Sequence, residues 1–98
     1  MSLPVEFSPT AAREVRGLAD YLEEEFGIGS RRKFEIALTK AIRHVGEFPF
    51  ACPISDNRAD LRKCVVTAYT IMVYRVKAEK VEIAPVFDGR RDYPYSKL

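Results

Sequence analysis

A chain of 98 residues has room for one modest core, so a single domain over residues 1–98 is expected, too small to enclose a large cofactor as well. Hydrophobic residues make up 47% and charged residues 31%, an ordinary globular balance, and no apolar run approaches the ~20 residues of a membrane helix. The net charge is +2, with seven basic and eight acidic side chains in residues 1–49 and nine and six in residues 50–98; this is weaker than the basic footprint of a protein held mainly by phosphate contacts, so direct DNA binding by the chain alone is not expected.

One histidine, His44, argues against His-rich metal sites and a Ser-His-Asp triad. No cofactor or metal motif stands out. Cys52 and Cys64 have no Cys-x-x-Cys or histidine partner nearby. The start, Met1 to Glu6, lacks the basic and apolar regions of a signal peptide. Two free thiols in a reducing, cytoplasmic setting are therefore expected.

The elements read in chain order as follows. Leu3 to Phe7 is a short strand. Ser8-Pro9 is a helix start, with a hydroxyl to accept an orphan amide and proline at the first helical position. Ala12, Val15, Leu18, Ala19, Leu22 and Phe26 then fall on one helical face. Gly27 ends the helix, and Ile28-Gly29 makes a short turn. A second helix from near Ser30 carries Phe34, Ala37, Leu38, Ala41, Val45 and Phe48 on one face, until Pro49 stops it. Arg31-Arg32-Lys33 opens this helix against its dipole, as a solvated run. So short a turn between amphipathic helices predicts an antiparallel hairpin.

After a breaker-rich loop come three β-branched and aromatic runs, Leu61 to Val66, Tyr69 to Val76 and Val81 to Phe87. The second is the most continuously apolar and belongs centrally. Pro85 lacks an amide donor and favours an edge position or a bulge for the last strand. The predicted fold is α+β in the order β-α-α-β-β-β, with the helix hairpin on one face of an antiparallel sheet.

Five segments then acquire a common meaning. Val5-Glu6-Phe7-Ser8-Pro9 leading into an Ala-rich helix with Tyr21 is similar to the opening of ParE/RelE-superfamily toxins. Glu47-Phe48-Pro49, Leu61-Arg62, Tyr69 through Val76, and Val86-Phe87-Asp88-Gly89-Arg90-Arg91-Asp92 resemble their later segments, in order and across essentially the whole chain. Family members often have histidine where this chain has Asp88. The resemblance implies the toxin of a type II toxin–antitoxin, or plasmid-stabilization, pair. Its implied partner is a ParD-like antitoxin, a small DNA-binding protein that forms a hetero-oligomer with the toxin.

Two activities occur in the superfamily: RelE-like members cleave mRNA on the ribosome, and ParE-like members poison DNA gyrase. Metal-independent RNA cleavage needs a base, an acid and cations around the scissile phosphate. Arg62, Lys63, Arg90 and Arg91 supply charge, and Asp88, Tyr93 and Tyr95 are the nearby proton-transfer groups. A tyrosine with a pKa of ~10 is a poor base, and Asp88 would repel the phosphate. Gyrase inhibition asks only for a shaped, charged surface, for which Arg62, Arg90, Arg91, Tyr93 and Tyr95 are the candidates. The expected function is thus gyrase inhibition. The alternatives are an mRNA endonuclease and a non-toxic binding module of the same fold. For the antitoxin, a strand edge and an apolar groove beside the helix hairpin are the places where a partner adds a strand or a helix. The apolar positions Leu18, Tyr21 and Leu22 of the first helix are the candidates, and they are also ordinary core positions.

Overall fold

The computed structural model describes residues 2–56, 58–68 and 70–84. Strand β1 (Val5–Phe7) leads into helices α1 (Pro9–Phe26) and α2 (Ile28–Glu47), followed by strands β2 (Arg62–Thr67), β3 (Thr70–Val76) and β4 (Val81–Ile83). The α+β order is the expected one. Ser8 caps α1 as anticipated, its Oγ accepting from the Ala11 amide at 3.0 Å, with Pro9 in the first turn.

The link between the helices is tighter than the sequence suggests. Gly27 alone joins them, and Ile28-Gly29 is already helical. Its φ of 95° lies where a side chain is strained and glycine is not. In that pose its amide donates to the Glu23 carbonyl at 2.9 Å, and its own carbonyl accepts from Ser30 at 3.2 Å. One residue thereby closes one helix and opens the next.

The four strands lie in the order β1-β4-β3-β2. As expected, β3 is internal, antiparallel to β2 on one side and to β4 on the other. Two points differ. The sheet is mixed, because β1 pairs with β4 in parallel, Val5 opposite Val81 and Phe7 opposite Ile83. That pairing also makes β4 internal over Val81–Ile83, whereas Pro85 favours an edge position or a bulge for the last strand; Pro85 itself lies outside the described residues. Both helices cover one face of the sheet. Tyr74, Met72, Ile83, Val45 and Val81 are the largest fully buried side chains there, joined by Ala11, Leu18, Phe34 and Leu38. Gly46 lets β1 approach α2: a Cβ there would meet the Leu3 carbonyl at 3.0 Å, and the Leu3 amide donates to the Gly46 carbonyl at 2.8 Å.

The opposite face alternates to charge, as strand periodicity requires. Arg75 reaches Glu82 at 3.1 Å and Asp60 at 3.6 Å, and Lys80 reaches Glu6 at 2.9 Å. A small apolar patch of Leu61, Val73 and Ala84 sits among them.

The cysteines overturn the expectation of two free thiols. Cys64 points from β2 into the helix-side core, and the loop after α2 folds back so that Cys52 forms a disulfide with it. The two cysteines are 12 positions apart in the sequence, and their Cα atoms are 5.4 Å apart. Spacing in the sequence says nothing of this closure, since it depends on where the loop returns. Among the described residues, no helix is long and apolar enough to cross a membrane.

Candidate functional site

The stripe Leu18, Leu22, Phe26 runs along α1 at intervals of four residues. Exposure rises along it toward Gly27: Leu18 is buried, Leu22 half-buried, and Phe26 is 59% exposed. The hairpin tip is therefore incompletely backed by the sheet. Between the tip and the β2–β3 turn lies an open cavity of about 510 Å³. The three α1 residues form one wall, Ser30, Lys33 and Phe34 of α2 a second, and Thr67 and Thr70 the base. Such a size and a mostly apolar lining with a few polar groups are those of a binding site.

The helices flanking this groove are clipped by Arg31. Its guanidinium donates to Asp20 at 2.8 Å and Glu23 at 2.9 Å on α1, and to Glu35 at 3.1 Å on α2. Bonds to Glu35, Glu23 and Asp20 raise its pKa further above the ordinary arginine value. The first residue of the basic run is thus a cross-helix brace, which corrects its reading as a solvated charge. Arg32 and Lys33 remain exposed.

The other end of the helix layer is closed. Arg62 lies on the helix-facing side of β2, opposite Tyr74. Its Nη1 donates to the Cys52 carbonyl at 2.7 Å and the Phe50 carbonyl at 3.2 Å, and its guanidinium sits 5.1 Å from the Phe50 ring centroid. The Tyr74 hydroxyl donates to the Pro49 carbonyl at 2.8 Å, and burial pushes its phenol pKa up. Together with the disulfide, these bonds tie residues 49–53 to the sheet.

The candidates read from the sequence therefore fall in different places. Leu18 and Leu22 line the groove. Tyr21 stands beside it, 38% exposed and edge-on to Phe26 with ring centroids 6.3 Å apart. Arg62 is at the closed end. Asp88, Arg90, Arg91, Tyr93 and Tyr95 lie outside the described residues. Sequence reading placed Phe26 and Phe34 on core faces and gave no role in a groove to Ser30, Thr67 or Thr70. The available hint was Phe26 itself, an aromatic at the last turn before a glycine, where a helix runs out of neighbours.

The family model for the ParE toxin of the type II toxin–antitoxin system parDE matches residues 5–93. This chain belongs to the ParE toxin family. In fold it is similar to a solved structure described as the chromosomal ParDE toxin–antitoxin system from P. aeruginosa. The TM-score is 0.73 at 11% identity, over 87% of this chain and 94% of that one. It is also similar to the YoeB dimer from Staphylococcus aureus, with a TM-score of 0.62 at 15% identity, over 88% of this chain and 95% of the other. At such identities the likeness concerns the fold. No curated protein matches the chain significantly. The ParE family member described here thus shares its fold with both of these solved structures.

Proposed function

We propose that this ParE-family toxin acts by inhibiting DNA gyrase and is neutralised by a cognate antitoxin that docks in the groove at the hairpin tip. The observation that carries the choice of target is the engagement of Arg62. A nuclease needs cations free to steady a pentacovalent phosphorane. The Arg62 guanidinium instead holds the Phe50 and Cys52 carbonyls and faces the Phe50 ring. Inhibition by binding makes no such demand, and membership in the ParE family supports the same side.

The groove suits the antitoxin because an apolar trough beside a helix hairpin receives an amphipathic segment. Leu18 and Leu22 would lie under that segment, with Tyr21 at its margin. The antitoxin in this reading is a small ParD-like DNA-binding protein encoded beside the toxin, and the pair forms a hetero-oligomer. Arg90, Arg91, Tyr93 and Tyr95 remain the candidates for target contact.

A supercoiling assay tests the target. The purified chain is expected to block gyrase-driven supercoiling of relaxed plasmid while leaving ribosome-bound mRNA intact. Site-specific mRNA cuts without any effect on gyrase would reverse the assignment to RelE-like cleavage. Growth that continues unchanged on induced expression would point to a non-toxic binding module.

A further inference from the structure

The base of the groove holds a polar group that its walls do not satisfy. Thr70 is only 7% exposed. It lines both the groove and the narrow space beneath the helices, next to Leu18 and Phe34. Among the described residues, its hydroxyl has no hydrogen-bond partner, although buried hydroxyls in folded proteins normally have one. A polar group left in this state costs stability until something bonds to it.

The rim adds a charge. Among the described residues, Lys33 is the charged one in the groove lining, and it is exposed without an acidic partner. The neighbouring carboxylates do not serve it, since Asp20, Glu23 and Glu35 are all engaged by Arg31. The cavity is thus apolar on its α1 wall, hydroxylic at the base and cationic on the α2 lip.

We propose that Lys33 and Thr70 select the antitoxin segment: the groove takes an apolar side chain with a carboxylate about one helical turn away. The apolar side chain fills the space between Leu18, Leu22 and Phe34. The carboxylate pairs with Lys33, and a polar group of the segment bonds to Thr70. This inference rests on the reading that an antitoxin occupies the groove, and it adds the chemistry by which cognate and non-cognate antitoxins are told apart. Opposite charge across a rim gives specificity, and reversing it turns attraction into repulsion.

The test uses the full chain and the polypeptide of the adjoining reading frame, titrated by calorimetry. Lys33→Glu is expected to weaken binding by about tenfold. One carboxylate-to-lysine change in the partner should restore it. Thr70→Val carries the sharper signature, because its two readouts move in opposite directions. It should weaken binding by about fivefold while raising the Tm of the free chain by about 3 °C, as the unpaired hydroxyl is removed. A structural role alone would move both the same way. Phe26→Asp, at an exposed position, separates the failures. If Lys33→Glu and Thr70→Val bind like the parent while Phe26→Asp abolishes binding, the groove is used but the proposed selectivity is wrong. If Phe26→Asp also binds normally, or the polypeptide does not bind the parent chain, the groove reading falls and this inference falls with it.

Discussion

The two ends of the helix layer are built on opposite principles. At the Pro49 end, a disulfide, an arginine and a tyrosine hold one loop, and the carbonyls of Pro49, Phe50 and Cys52 all receive side-chain donors. At the Gly27 end, the same two helices leave an apolar trough open and, among the described residues, a buried hydroxyl unpaired. A chain this small has little core to spare, so where it leaves apolar surface uncovered is informative. The closed end contributes stability, and the open end leaves apolar surface uncovered.

Mutations at the two ends sharpen or break this contrast. The largest effect should come from the disulfide. Replacing Cys52 and Cys64 by alanine releases a constraint spanning 12 residues; the expected loss is about 3 kcal/mol by loop-closure entropy. Denaturant unfolding of the oxidised parent and the variant measures it. Equal midpoints would show that the loop is held without the covalent link.

Arg62→Ala comes next. It removes two carbonyl bonds and the contact with Phe50, for an expected loss of about 2 kcal/mol. Stability should fall without loss of gyrase inhibition per folded molecule. Inhibition that disappears in a variant of native stability would place Arg62 at the target instead. Tyr74→Phe, which deletes only the bond to Pro49, should cost about 1 kcal/mol in the same unfolding experiment.

At the open end the expectation inverts. Phe26→Ser should change stability by no more than about 0.5 kcal/mol, since the ring is already 59% exposed. A thermal melt showing several degrees of loss would mean that the tip is core after all.

The outer face of the sheet should respond to acid. Its bond from Arg58 holds the Asp60 carboxyl below the usual range. Burial works against ionisation of Glu82, but Lys77 and Arg75 outweigh it and lower that pKa too. Because both folded values are depressed, their contribution is complete above the ordinary values of 3.8 and 4.5 and is lost as pH falls through the folded ones. Tm should therefore stay level from pH 7 to 5 and drop below about pH 4. Arg75→Gln should flatten that drop, and the exposure of these groups keeps the effect small.

Much of this molecule follows from local chemistry that can be read directly. Ser8-Pro9 specifies a helix start, Gly27 a stop, and the spacing of Leu18, Ala19 and Leu22 or of Phe34, Leu38 and Val45 specifies which face is buried. The nearly continuous apolar run of Tyr69 to Val76 identifies a central strand. These are short-range rules, satisfied or violated within a few residues. The family resemblance likewise follows from segments in order.

What the sequence left open depends on separations much longer than a turn. Val5–Phe7 alternates equally well beside a parallel or an antiparallel neighbour, so its parallel pairing with β4, and hence the mixed sheet, required the whole chain to be folded. Cys52 and Cys64 looked like free thiols because nothing near either one says that residues 49–53 return to β2. Arg62 was legible as a cation but not as a loop clamp. The groove was half legible: Leu18 and Leu22 were named from periodicity, but periodicity cannot say where a helix outruns its sheet. Whether Phe26 is core or surface, and whether Thr70 has a partner, depends on what packing leaves uncovered. That is a property of surfaces brought together in space, and only the tertiary structure decides it.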